Sequence, residues 1–569
     1  PLHRTPPVAQ RQQWQSRLGF ILAASGSAIG LGNIVFFSAN AYRFGAGAFY
    51  LPYLLALLCV GIPVMMLEFG LGQRYRGAFP IALGKAAGRA GELAGWFAIL
   101  NAFVITMYYI TILSWAAGMW WFAAAGSLFE ASVAVPAFGL EDGDLPNPVA
   151  SFFRLLSSWG GLALVVLVWA TNVLIVQRGT KSIEAAVRYM VPFIWVVMIL
   201  FIVRGLTLDG GIHGVFLLFE PDFTVMGSGK VWSGAFSQIF FTLSLGFGIM
   251  TAYASYMPRR TDHVTNSFIV SLLNCSFELV AGFAIFSLLF AFAVVPQAST
   301  LSMMFFIVPT AIDSLGAGAR LAGAGFFSLL LVAGISSSIS LLEAGVSAVV
   351  DRFGIRRGQA LALFTSVGLL GSVCFALPVV VDRALDGNGT LGLSLLDLFD
   401  HYAFGYGLLL VGLVECLLVG WVLGADKLRA TLNEHSSWPV PLGRGFDVLI
   451  RYLVPAAIVV VLVFSLLEDL GLRGGATDAA AGLRVYGDTL PLGPLRLLPW
   501  LTPVIWVVFA LGGAAVLTRL AGARPLPPDP DDGPGPGAPT PSAAAPSTAA
   551  APSTAAAPAT TVPRSTHHA

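Results

Sequence analysis

The chain has 569 residues, of which 56% are hydrophobic and only 11% charged. Soluble domains carry about 25% charge, so this chain lacks the ionic surface that water requires, and a soluble enzyme is excluded. Lys+Arg 31 against Asp+Glu 30 leave a formal net charge of +1; without a polybasic tract, a nucleic-acid binder is excluded too. Cys59, Cys275, Cys374 and Cys416 lie in apolar stretches without C-x-x-C spacing and read as small hydrophobes.

A membrane-spanning helix needs roughly 20 apolar residues. Twelve such stretches are predicted, near 18–41, 48–72, 93–124, 160–177, 182–204, 232–257, 265–295, 322–350, 359–381, 396–424, 447–468 and 496–519. No cleavable signal peptide is expected, because the first span runs at once into more membrane. Arg4, Arg11 and Arg17 precede it, and alternate connections carry Arg74, Arg76, Lys85 and Arg89, then Arg178 and Lys181, Arg259 and Arg260, Arg352, Arg356 and Arg357, and Lys427, Arg429 and Arg444. The opposite loops are acidic or neutral, so both termini are expected in the cytoplasm. The domain plan is a cytoplasmic segment over 1–16, a twelve-span domain over 17–520, and a cytoplasmic tail over 521–569. That tail is rich in Pro, Ala, Ser and Thr and is expected to be disordered. Ser302-Met303-Met304-Phe305-Phe306 reads either as a loop dipping into an outer vestibule or as one resting on helix ends.

Polar runs inside spans are the informative features, because a bilayer penalises exposed backbone. Span one contains Ala24-Ser25-Gly26-Ser27-Ala28-Ile29-Gly30-Leu31-Gly32-Asn33. A break here frees carbonyls for a small cation and amides for a carboxylate; close packing through small residues is the alternative. Span six contains Gln238-Ile239-Phe240-Phe241-Thr242-Leu243-Ser244-Leu245-Gly246-Phe247-Gly248. Spans one and six correspond if the chain is two five-span repeats plus two further spans, and paired interrupted helices point to a transport site. Span eight adds Ser336-Ser337-Ser338, which either bond back to their own helix or face span one and ligate an ion. Oxygen ligands without thiolate or imidazole clusters favour an alkali cation. Glu68, Glu278, Glu343 and Glu415 lie within spans and are expected to be functional or paired.

Together these segments resemble the neurotransmitter:sodium symporter family, most closely its bacterial amino-acid carriers, over roughly residues 11–520. The resemblance rests on Arg-Leu-Gly-Phe-Ile-Leu-Ala at 17–23, Gly30-Leu31-Gly32-Asn33, Gly45-Ala46-Gly47-Ala48-Phe49, Met107-Tyr108-Tyr109, the run 238–248, Tyr253-Ala254-Ser255-Tyr256 and Gly424-Ala425-Asp426-Lys427. It implies an all-α polytopic membrane protein of twelve transmembrane helices, with inverted five-helix repeats and broken helices one and six.

The resemblance also implies site residues. One sodium site takes the Ala28 carbonyl, Asn33, Thr242 and Asn274, completed by the substrate carboxylate. A second takes the carbonyls of Gly26, Ile29 and Ala333 with the hydroxyls of Ser336 and Ser337. The substrate carboxylate meets the Leu31 and Gly32 amides and the Tyr109 hydroxyl. Its amine meets the carbonyls of Ala28, Phe241 and Thr242 and the Ser244 hydroxyl. Ser27, Ile105, Phe241, Phe247, Ser337 and Leu341 surround its side chain. Gly30 stands where monoamine carriers of the family place an aspartate, which implies a substrate bringing its own carboxylate. Glu278 stands where chloride-independent members carry a fixed acid, implying no chloride and a returning proton.

The chain departs from the family at the outer gate. Phe36 replaces the usual arginine opposite Asp400, and Arg43, seven residues on, is either a shifted partner or snorkels outward. The inner gate is expected to be Arg11 with Asp351, supported by Trp14, Ser255, Tyr256 and Glu343. The expectation is a symporter of a neutral amino acid, coupled to two Na+ and working by alternating access in a bacterial inner membrane. Its partners are a small carboxylated substrate and the lipid bilayer. A carrier of a carboxylated osmolyte or amino-acid derivative, and a non-transporting receptor on the same fold, are the alternatives. A membrane enzyme is disfavoured, since no His/Asp/Glu catalytic cluster gathers in one stretch.

Overall fold

A computed structural model describes residues 12–129, 135, 139, 141, 144–296, 300–381, 391–470, 498–522 and 526. Of the expected terminal segments 1–16 and 521–569, residues 1–11, 523–525 and 527–569 lie outside the described residues. Among the described residues ten helices are long and apolar enough to cross a membrane: Gly47–Tyr75, Phe79–Ala125, Trp159–Val176, Thr180–Leu206, His263–Ala291, Gly316–Phe353, Arg357–Val380, Gly392–Glu434, Arg444–Leu467 and Leu501–Ala521. Two more spans are broken. Span 1 is Arg17–Ala28 and Leu31–Arg43, bent by 51°. Span 6 is Gly229–Thr242 and Ile249–Ser255, separated by a six-residue turn too long to leave a continuous helix. In chain order these make spans 1 to 12.

The breaks follow from local chemistry. In span 1 the helix stops at Ile29 (φ −77°, ψ 92°), and Gly30 is extended and caps the second half. The Asn33 side chain accepts the Gly30 amide at 2.8 Å, so the polar residue three positions on restarts the helix. In span 6, Ser244 (φ 54°), Gly246 (φ 77°) and Gly248 (φ 72°) take left-handed backbone. Glycine adopts this freely; serine there costs about 1 kcal/mol or more. The Ser244 hydroxyl gains a partner in exchange, donating to the Ser27 carbonyl at 3.1 Å and so joining the two breaks.

Burial sorts the spans. The most apolar windows of spans 2 and 3 are 78% and 83% buried, whereas those of spans 5 and 12 are 22% buried. The former form the centre; the latter present leucines and valines such as Leu200 and Val516 to lipid. A short helix starting at Phe79 precedes span 3, and Ala87 (φ −139°) and Gly88 (φ 66°), which leave helical geometry, separate it from the span itself. The segment 300–313 is helical, not a loop. It buries Met303, Met304 and Phe305 and stacks Phe305 on Phe152 at 4.5 Å, so it rests on neighbouring helix ends. Span 10 widens to π geometry over Asp400–Gly407.

Candidate functional site

The two breaks meet around an internal cavity of about 110 Å³. Every position expected to touch substrate lines it: Ser27, Ala28, Leu31, Gly32, Ile105, Tyr109, Phe241, Thr242, Ser244, Phe247, Ser337 and Leu341. At one end the Tyr109 hydroxyl accepts the Leu31 amide at 3.3 Å, at the start of the second half of span 1. The Ser27 carbonyl accepts from Ser337 Oγ at 2.9 Å as well as from Ser244 Oγ. Spans 1, 6 and 8 therefore meet at one carbonyl.

Two oxygen clusters flank the break. In the first, Asn33 Nδ2 donates to Thr242 Oγ1 at 2.6 Å and to Asn274 Oδ1 at 2.9 Å, and Asn274 Nδ2 donates to Thr242 Oγ1 at 2.7 Å. Glu278 lies beside them. Its Oε1 accepts from Gln238 Nε2 at 2.6 Å, Thr242 Oγ1 at 2.7 Å and Asn33 Nδ2 at 3.5 Å, and its Oε2 accepts from the Tyr53 hydroxyl. Side-chain amides turn with little change of shape, so all three neutral members can present oxygen to a shared cation. In the second cluster Ser336 Oγ donates to the Gly26 carbonyl at 2.6 Å and to the Ala333 carbonyl at 2.8 Å. Ile29 ends the first half-helix beside them. Ser338 turns away to Asn172 Oδ1 at 2.7 Å. Both donor sets are oxygen alone and fit an alkali cation. Among the described residues no group of three or more His, Cys, Asp or Glu side chains could hold a metal.

The far wall is aromatic. Phe36 lines the cavity, and Phe404 of the π turn stacks on Phe241 with centroids 3.6 Å apart. Arg43 does not replace the missing arginine: it is exposed and lies over the Phe44 ring at 5.3 Å. Asp400 faces the Tyr108 hydroxyl and His401 instead. Phe404, Gln238, Ile249 and Tyr53 were not among the expected site residues. Gln238 precedes Thr242 by one helical turn and was legible on that spacing. The other three reach the site only through packing.

At the Arg-rich end, Arg11 lies outside the described residues, and Asp351 accepts the Ala78 amide at 3.0 Å. Glu343 and Asp351 share a neighbour in Arg357, whose charge feels both. Glu343 is buried in an ion pair with Arg357 and accepts from Tyr256 at 2.8 Å. The segment preceding span 1 is stitched down. Trp14 Nε1 donates to the Tyr253 carbonyl at 2.9 Å, the Gln15 amide to Glu184 Oε2 at 2.9 Å, and Ser16 Oγ to Glu184 Oε1 at 2.7 Å. Glu68 of span 2 accepts the Gly246 amide at 2.8 Å, tying down the break of span 6.

Comparison with known proteins agrees with this geometry. The family model described as Sodium:neurotransmitter symporter family matches residues 11–128 and 156–473. An uncharacterized sodium-dependent transporter of Methanocaldococcus jannaschii is 39% identical over 447 residues, 75% of this chain and 85% of that protein. The sodium- and chloride-dependent creatine transporter 1 of Homo sapiens is 29% identical over 466 residues, 74% of this chain and 72% of that protein. The crystal structure of MhsT in complex with L-phenylalanine is similar with a TM-score of 0.68 at 30% identity, covering 80% of this chain and 99% of that one. On its fold, its paired broken helices and these matches, the chain belongs to the sodium:neurotransmitter symporter family of membrane transporters.

Proposed function

We propose that the protein imports a neutral amino acid together with Na+, bound at two sites, by alternating access and without chloride, while Glu278 returns a proton. The observation that carries this reading is the cavity's polar end. The half-helix start at Leu31 and Gly32 and the Tyr109 hydroxyl sit there between two all-oxygen clusters. A half-helix N-terminus favours an anion, and Gly30 supplies no acid of its own. A cation in the first cluster then meets the substrate carboxylate from one side and Glu278 from the other. The Arg-rich end faces the cytoplasm of a bacterial inner membrane, both termini included, following the positive-inside bias.

The missing arginine supports a second reading, a carrier of a carboxylated osmolyte or amino-acid derivative, since among the described residues no cation bridges Phe36 and Asp400. A thermal-shift screen of carboxylated small molecules, each with sodium and with potassium, tests both readings. Neutral amino acids, with L-leucine and L-phenylalanine as first probes, are expected to stabilise the protein in sodium alone. Stabilisation by derivatives but by no amino acid selects the second reading.

Gly30 gives a sharper check. A Cβ there meets Ser337 Oγ at 2.8 Å and the Tyr109 hydroxyl at 3.0 Å. Gly30→Ala is therefore expected to push the tyrosine aside and weaken binding of the stabilising amino acid about tenfold or more. Titrating the thermal shift reads this; unchanged affinity removes Tyr109 from the carboxylate site.

A further inference from the structure

We infer that Asp469, at the end of span 11, is a positioning residue for the outer lid: through His401 and Tyr406 it clamps the π turn that carries Asp400 and Phe404. The inference rests on the transport reading, since a lid has meaning only if the cavity opens and closes.

Without an arginine at Phe36, something else must set where the span 10 turn sits. A π turn loosens the regular hydrogen-bond ladder and needs outside partners. The structure provides two. Asn101 Nδ2 of span 3 donates to the Ala403 carbonyl at 2.9 Å, and Asn101 Oδ1 accepts from Trp506 Nε1 of span 12 at 2.8 Å. Span 11 provides the second. Asp469 Oδ2 is 2.8 Å from His401 Nε2 and accepts from the Tyr406 hydroxyl at 2.5 Å. One carboxylate oxygen thus holds residues on both sides of Phe404, and such bonds are stronger than neutral ones. The His401 ring sits edge-on to Tyr402 and Tyr406, 5.1 and 5.5 Å away. Among the described residues span 11 contributes none to the cavity wall, so Asp469 acts through the turn and not on the substrate.

The test uses the full chain in right-side-out vesicles, with Cys59 and Cys374 changed to alanine and Ile105→Cys as reporter on the cavity wall. The readout is the rate of alkylation by a membrane-impermeant maleimide. Asp469→Ala is expected to raise the rate about fivefold, and Tyr406→Phe, which removes a single bond, by less. Asp469→Asn, which keeps a carbonyl acceptor in the same place, is expected to label at a rate between those of the parent and Asp469→Ala. Equal rates in the parent and Asp469→Ala, or an Asp469→Asn rate as high as that of Asp469→Ala, overturns the inference. Variants are compared within one salt. A failure of sodium coupling, read as equal parent rates in sodium and potassium, is thereby told apart from a failure of the clamp.

Discussion

Asn33→Leu is expected to cut sodium-driven uptake in proteoliposomes at least about a hundredfold, the cost of leaving an ion and its polar neighbours uncompensated in a dry site. Three functions meet on that side chain. Its oxygen caps the second half of span 1 at Gly30, and its nitrogen reaches both Thr242 and Asn274. Leucine fills the volume and offers no ligand. Thr242→Val removes one oxygen with less change of shape and should lose uptake while the protein still folds. Both variants are read against wild type with sodium replaced by potassium. Wild-type uptake indifferent to that replacement sinks the sodium-coupled reading.

Glu278→Ser should make transport depend on chloride, with uptake in chloride-free buffer at least about tenfold below that in chloride. A fixed negative charge beside the first oxygen cluster stabilises a cation strongly, because the local dielectric is low. Taking it away leaves the hydroxyl of Tyr53, the amide of Gln238 and the hydroxyl of Thr242 converging on a vacated volume. Three donors around a space next to a cation make an anion site, which chloride can fill. The same carboxylate explains the proposed proton. Once the cation leaves, the carboxylate keeps its hydrogen bonds but loses its counter-charge, and in the proposal a proton taken up there restores neutrality. Uptake by wild type that requires chloride refutes the proposal, and so does a serine variant indifferent to it.

Much of the cavity was legible because its walls come from polar interruptions of apolar spans. A serine or asparagine amid leucines stands out, and so do the glycines that let the chain turn at 246 and 248. What stayed hidden was set by packing between distant segments. Phe404 is one aromatic among many in span 10, and only the π turn aims it at Phe241. Tyr53 lies one turn from Tyr50 and Phe49 on an aromatic face, with nothing local to single it out. Arg43 could be read as a gate partner from its spacing alone, yet the helix ends at that residue and the guanidinium settles over Phe44. The Glu343 carboxylate was visible as an intramembrane acid; its pairing with Arg357 needed the fold of the connection at 354–356.

The first half of span 1 has 12 residues, about 18 Å of helix, and pivots where Ile29 meets Gly30. In the proposed cycle it would act as a lever with its fulcrum at the proposed ion ligands and its far end at the Trp14–Ser16 stitch. A rotation of about 10° moves that end roughly 3 Å, enough to part every hydrogen bond there, whereas the same rotation shifts Gly26 by only about 1 Å. The stitch to Glu184 and Tyr253 therefore senses angular strain that the ligands themselves barely register. On the proposed transport cycle, small displacements at the cation sites would be geared up into release at the opposite end of the helix, and the timing of inward opening would be set at residues that do not line the cavity.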